Sequence, residues 1–158
     1  MEAQDFRSKD GLFSVSEEDQ PKKKVKHFFH SSAVSGVTPQ EKVEWYKFMG
    51  TLRETIANAK VSYTHRFLWV LHCKKKLQRI YTQNVDALEG RMGIPLVESP
   101  YHTVMEGGYV SLHGSLTQLR CMLCGSRKFF SKAYAEKFKS GHAPPCTSCN
   151  VPGNSTHI

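Results

Sequence analysis

Two cysteine pairs, Cys121-Met122-Leu123-Cys124 and Cys146-Thr147-Ser148-Cys149, carry the clearest chemistry in this chain. Each Cys-x-x-Cys can turn both sulfurs towards one point. Four thiolates complete a tetrahedral zinc site with no open position, so the metal they imply is structural and single. Twenty-one residues separate the pairs, one beyond the usual window for a paired-knuckle site. The fifth cysteine, Cys73, has no partner in the pattern and reads as a free buried thiol. Three other clusters bring together groups that bind or move protons: Gln83-Asn84-Val85-Asp86, His113-Gly114 and Asp5-Phe6-Arg7-Ser8. Each has a plainer reading. Asn and Asp after a strand also cap helices, and a single histidine at a strand end is usually a satisfied surface or core residue.

The elements that must position these groups follow from periodicity. Thr38-Pro39-Gln40-Glu41 forms a capping box with proline at the first helical position, and Trp45, Met49, Leu52 and Ile56 recur at helical spacing, so a helix to about Ala59 is predicted. A second helix is predicted from Ser62 or Tyr63 to Lys76, burying Phe67, Leu68 and Leu71. It feeds Leu77 to Thr82, a short run rich in β-formers, which predicts a buried strand with Gln83, Asn84 and Asp86 just past its end. Function in α/β folds gathers there. A second strand, Tyr109 to Leu112, runs into His113 in the same way, after a long loop from Met92 to Gly108. A short helix from Ser131 to Lys139, closed by Gly141, lies between the cysteine pairs. The segment from Val15 to Ser35, with the charge run Pro21 to Lys26, reads as a loop.

Composition limits the function classes. The chain has 158 residues, 39% of them hydrophobic, which suits one ordinary domain with a small appended module. Twenty-two Lys and Arg against fourteen Asp and Glu give a formal charge of +8, a bias towards acidic partners such as nucleic acid or chromatin. No stretch approaches the roughly eighteen apolar residues that span a bilayer, and Met1 to Asp10 holds no apolar signal core, so an intracellular protein with no membrane partner is predicted.

Taken in order, Asp5-Phe6-Arg7-Ser8, Thr64-His65-Arg66-Phe67-Leu68, Thr82-Gln83-Asn84-Val85-Asp86, His113-Gly114 and the two cysteine pairs resemble the signature of the sirtuin family over about Asp5 to Asn150. The resemblance implies an α/β fold: part of a Rossmann-like three-layer parallel sheet with an inserted zinc module. It divides the chain into an NAD-binding domain over 1–120, a four-cysteine module over 121–150 and a tail over 151–158. It implies NAD-dependent deacetylation of protein lysine, with nicotinamide and O-acetyl-ADP-ribose as products. By the same resemblance Asp86 binds the nicotinamide carboxamide, Gln83 and Asn84 order the ribose and a nearby water, and Phe6 shields the reacting sugar. Asp5 and Arg7 line the same pocket, and His113 is the general base that takes a proton from a ribose hydroxyl. Cys121, Cys124, Cys146 and Cys149 are the zinc ligands. The chemistry suits these types: breaking the nicotinamide–ribose bond leaves positive charge on the sugar, and amide and carboxylate groups hold what must stay oriented meanwhile.

The long connection between Asp86 and His113, and Gly11-Leu12-Phe13, are similar to fungal nuclear sirtuins that deacetylate core histones. Acetylated histone lysines, in tails or cores, are therefore the implied partners, with nuclear rather than cytoplasmic location. Pro21 to Lys26 is similar to a nuclear import signal. Sirtuins carry a glycine-rich phosphate loop just before the Asp-Phe-Arg motif, where Met1-Glu2-Ala3-Gln4 stands here, and further strands after the zinc module. Hence the expectation that this exact stretch, read as a fragment, does not turn over by itself. Two alternatives remain beside the enzyme: a basic zinc-knuckle module that binds nucleic acid, and an inactive fragment that binds zinc or a partner.

Overall fold

The computed structural model describes residues 38–97 and 107–150. Asp5, Phe6 and Arg7, the segment 15–35 with its basic run, most of the loop after Met92 and the tail 151–158 lie outside these residues. The described chain forms two compact units, one from 38–59 and 120–150, the other from 60–97 and 107–119. No helix among the described residues is long and apolar enough to cross a membrane.

The first unit is built on helix α1 (Pro39–Asn58). Its start is the capping box expected from sequence: Thr38 Oγ1 accepts from the Glu41 N–H at 3.3 Å, and Glu41 Oε2 accepts from the Thr38 N–H at 2.8 Å. These bonds satisfy donors that no preceding turn could reach, a contribution of about 1 kcal/mol. Trp45, Tyr46, Met49, Leu52 and Ile56 form the buried stripe of α1. They meet α4 (Lys132–Lys139), which is capped by Ser131 and ends where Gly141 takes φ +85°. Phe138 lies at the centre, its ring 5.1 Å from Tyr46 and 4.9 Å from Phe130, and both phenylalanines are fully buried. Such ring pairs add about 1 kcal/mol each beyond the area they hide. Arg53 Nε donates to the Phe130 carbonyl at 2.9 Å, and the exposed Lys139–Glu54 pair at 2.9 Å contributes little more.

In the second unit, α2 (Tyr63–Cys73) leads to β1 (Arg79–Thr82), a short helix α3 (Leu88–Arg91) and β2 (Gly108–Ser111). Strands β1 and β2 pair in parallel, with Ile80 opposite Tyr109 and Thr82 opposite Ser111. The core of this unit is Ala87, Ile94 and Tyr109, with Leu68, Leu77, Ile80, Met92 and Leu96 packed around it. Between Val97 and Gly107 the chain leaves and rejoins fixed points. Val97 N–H donates to the Tyr109 carbonyl at 2.8 Å, Gly107 N–H donates to the Gln78 carbonyl at 2.8 Å, and His72 Nδ1 lies 2.8 Å from the Gly107 oxygen. Strands β3 (Gln118–Arg120) and β4 (Arg127–Phe129) pair in a second sheet flanking the first cysteine pair.

Helix α2 departs from expectation. It stops at Cys73 rather than Lys76, because Lys75 takes φ +55° and turns the chain into β1. None of its residues is buried: Leu68 and Leu71 are half-covered, whereas Phe67 is 60% exposed, beside Tyr63, Trp69 and Val70. Leu68 packs against the core of its unit, whereas Phe67, a step of about 100° round the helix, lies on the uncovered side. Cys73 is likewise exposed, a free thiol but not the buried one expected, since it follows the core stripe at the helix end. Strand β1 is only partly covered, with Tyr81 59% exposed, so its run of β-formers does not mark a strand buried on both faces.

The approach of α1 to α4 depends on Gly50. A Cβ there would lie 2.7 Å from the Lys139 nitrogen and 2.8 Å from the Ala135 oxygen, both backbone atoms. In an isolated helix, alanine would gain about 1 kcal/mol over glycine. Here overpacking against an unyielding backbone, typically about 1–3 kcal/mol, outweighs it. Gly50→Ala is expected to lower the thermal midpoint of this unit, while Thr55→Ala on the exposed face of α1 stays within about 0.5 kcal/mol of the parent. Parallel thermal melts followed by circular dichroism check this, and an unchanged midpoint for Gly50→Ala would disprove the close approach.

Candidate functional site

Parallel pairing sends β1 and β2 out of the sheet at the same end. The Leu112 N–H donates to the Thr82 carbonyl at 2.9 Å, completing the ladder, and the next residues on the two strands are Gln83-Asn84 and His113. Gln83, Asn84 and His113 are exposed, and their side chains have no hydrogen-bond partner among the described residues. Three unspent polar groups past the carboxyl ends of adjacent parallel strands mark where an α/β sheet takes a ligand.

The backbone beneath them is pinned. Thr82 Oγ1 accepts from the Asn84 N–H at 3.1 Å, and the Val85 carbonyl accepts from the Leu116 N–H at 2.8 Å, so the segment after His113 is tied to the Gln-Asn-Val-Asp segment. Val85 and Leu116 are themselves buried. Asp86 is half-buried, and its Oδ1 accepts from the Leu88 N–H at 3.2 Å. The capping role open to this residue is thus partly realised, and it occupies one oxygen of two. Ala87 takes the left-handed conformation, φ +52°, which costs a non-glycine residue about 1–2 kcal/mol and is held there by the buried Leu88 and Val85 on either side.

Two groups that sequence reasoning missed lie in the same unit. Glu89 is 4% exposed with Oε2 lacking a partner, and the buried Ser111 Oγ lacks one as well. Burial pushes the Tyr109 phenol above its ordinary pKa, and the carboxylates of Glu89 and Asp86 push it further. Nothing in the sequence distinguished Glu89, because a helix of four residues is too short to display a buried face by periodicity. A buried polar atom without a partner is uncommon in a finished fold and points to a water or ligand atom. The free amides, the free imidazole and these orphan atoms fit the amide and hydroxyl groups of a nicotinamide ribose. Asp5, Phe6 and Arg7 lie outside the described residues and are brought to no site here.

The first unit holds the cysteines. Cys121 and Cys124 flank the turn between β3 and β4, and Cys146 and Cys149 follow α4. All four sulfurs lie within 4.8 Å of one another, with Cys121 Sγ 3.8 Å from Cys149 Sγ and Cys124 Sγ 3.7 Å from Cys146 Sγ. A tetrahedron of Zn–S bonds of about 2.3 Å requires sulfurs about 3.8 Å apart. The fit is close, and the spacing is far beyond the roughly 2.05 Å of a disulfide. Cys121 and Cys146 are buried, Cys149 is half-covered and Cys124 is exposed. The Ser126 hydroxyl, with the backbone N–H groups of Cys149 and Ser148, lowers the Cys146 thiol to about 5, and Ser126 lowers Cys124 too. At neutral pH Cys146 is therefore already in the thiolate form that a metal needs.

Comparison with known proteins places the chain in a family. Residues 2–153 match the Sir2 family. The chain is 32% identical to the NAD-dependent histone deacetylase HST3 of Candida albicans, over 92% of this chain and 31% of that protein. It is 30% identical to HST3 of Saccharomyces cerevisiae, over 93% and 35%, and 31% identical to the NAD-dependent protein deacetylase hst4 of Schizosaccharomyces pombe, over the same shares. It thus spans about a third of the length of these curated relatives. Among solved structures, one described as the structural basis of sirtuin substrate affinity aligns with a TM-score of 0.64 at 20% identity, covering 99% of this chain and 54% of that one. A Sir2 variant with a deacetylated p53 peptide and 3'-O-acetyl-ADP-ribose aligns at 0.63 and 19%. These likenesses establish the Rossmann-like α/β fold read from sequence.

The sulfur geometry leads to a metal prediction. The purified protein is expected to carry one zinc per chain, and Cys146→Ser with Cys149→Ser together is expected to abolish it. Chelation should loosen the first unit, because binding energy at a closed site is also folding energy. Elemental analysis of the parent and the double variant, with thermal melts before and after chelator, checks this; a parent with no zinc would rule the site out.

Proposed function

The chain belongs to the Sir2 family, and on that premise we propose that it serves NAD-dependent deacetylation of protein lysine, with acetylated histones as the substrate class and the nucleus as its place of work. The carrying observation is the set of unspent groups, Gln83, Asn84 and His113, past the ends of two adjacent parallel strands. A nucleic-acid-binding knuckle would have no use for that arrangement. Histones as substrates are supported by the names of the fungal relatives and by the net charge of +8, which favours proximity to chromatin.

In this reading NAD supplies nicotinamide as the leaving group and its ribose as the acceptor of the acetyl group. The protein's own groups bind and orient. Asp86, with one oxygen committed to the Leu88 N–H, offers the other to the carboxamide amine. Gln83 and Asn84 would hold ribose hydroxyls and a water, and the pinned Thr82–Val85 backbone fixes where both side chains start. The exposed imidazole of His113 accepts the proton of a ribose hydroxyl, converting it to a nucleophile. By the family resemblance Asp5, Phe6 and Arg7 are assigned to the nicotinamide-ribose pocket, Phe6 as the residue that would shield the reacting sugar. Cys121, Cys124, Cys146 and Cys149 bind zinc in a closed site that leaves the metal no open position for substrate.

The test uses the natural protein at its full length, incubated with NAD and an acetylated histone peptide. His113→Ala is expected to reduce formation of the deacetylated peptide by about 100-fold to 10,000-fold, with zinc content and melting temperature unchanged, since a general base acts only on the chemical step. A variant that turns over at the parent rate would remove His113 from the mechanism. Failure of the parent to release nicotinamide would overturn the proposal as a whole.

A further inference from the structure

We propose that Ser126 is a positioning residue of the metal centre, joining the two cysteine pairs through a hydrogen bond from its hydroxyl to their facing sulfurs and so slowing metal release. The inference rests on the reading of the four cysteines as ligands of one metal and deepens it. Its hydroxyl oxygen lies 3.1 Å from Cys124 Sγ and 3.3 Å from Cys146 Sγ, one sulfur from each pair. Sulfurs bound to a metal are thiolates and only accept, so in the loaded site the hydroxyl is the donor and its one hydrogen is shared between the two sulfurs as a three-centre bond. The same residue is fixed by its backbone. Its carbonyl accepts the Cys121 N–H at 2.8 Å, and the Gly125 N–H donates to the Cys121 carbonyl at 3.0 Å, closing the turn of the first knuckle.

Two backbone donors nearby act within the second pair. Ser148 N–H, 3.4 Å from Cys146 Sγ, belongs to the second pair's own turn, as does the Asn150 N–H bonded to the Cys146 carbonyl at 2.8 Å. Those bonds shape one knuckle each. Ser126 belongs to the first knuckle and reaches a sulfur of the second, so its hydroxyl couples the two pairs directly. Cys124 is the exposed ligand, where water or a competing thiol would attack first, and the hydroxyl sits against it. A hydrogen bond to a ligating thiolate draws charge from the sulfur and fixes its direction, and partners of this kind change metal affinity by about 10-fold to 100-fold when removed.

The experiment compares the intact protein with Ser126→Ala and Ser126→Thr, each loaded first with zinc and then with cobalt(II). Zinc transfer to a chromogenic chelator is expected to be about 10-fold to 100-fold faster for Ser126→Ala and close to the parent rate for Ser126→Thr, which keeps the oxygen. In the cobalt forms the tetrahedral d–d bands should persist. The sulfur-to-cobalt charge-transfer band of Ser126→Ala should move to lower energy, because a thiolate without its donor gives up an electron more readily; a role confined to packing would leave that band in place. Equal transfer rates and an unshifted band in Ser126→Ala would overturn the inference while leaving the metal centre standing. A parent that takes up neither metal would overturn both.

Discussion

Parallel pairing of β1 with β2 is the constraint on which the rest of the ligand site depends. Parallel strands discharge at one end of a sheet, so the register that sets Thr82 against Ser111 also delivers Gln83, Asn84 and His113 to a common edge, from segments about thirty residues apart in the chain. A slip of one residue would turn alternate side chains to the opposite face and separate them. The core beneath the sheet maintains that register, because Tyr109 and Ile80 face each other across it and pack with Ala87 and Ile94. The placing of those side chains therefore depends on a small apolar cluster.

The first unit is organised by different forces. Its interior is aromatic, with Trp45, Tyr46, Phe130 and Phe138 in edge and tilted contacts. The cysteine pairs adjoin that interior at either end: Phe130 follows β4, and Phe138 lies on the helix that precedes the second pair. A four-sulfur site tolerates errors of only a few tenths of an ångström, and the aromatic packing sets where the two knuckles begin. Metal and core are thus mutually reinforcing, each narrowing the conformations left to the other.

Sequence reading succeeded where a local rule has a local cause. The Thr38–Glu41 capping box, each strand end, the Gly141 stop and the turn within each Cys-x-x-Cys pair follow from residues within a few positions of one another. It failed where burial is decided by partners distant in sequence. Phe67 is as apolar as Leu68, yet only Leu68 reaches the core, and Cys73 sits exposed at the helix end. Glu89 shows the converse, a carboxylate that looks solvated in sequence and is buried with an oxygen unpaired. The roles proposed for Gln83, Asn84, Asp86 and His113 came from resemblance; the structure contributes the two adjacent strand ends that these residues follow.

The two anchors of the connection between β1 and β2 have a consequence for how such a protein can diverge. Val97 and Gly107 are each held by backbone bonds to strand residues or their neighbours, and His72 adds a side-chain tie at the returning end. The span between them is therefore decoupled from register: its ends are fixed whatever its length. Lengthening a connection whose ends are already fixed costs only about 0.6 kcal/mol for each doubling. A lineage can therefore insert, delete or rewrite residues there and alter what the neighbouring surface recognises, while the strand ends carrying the chemistry stay in place.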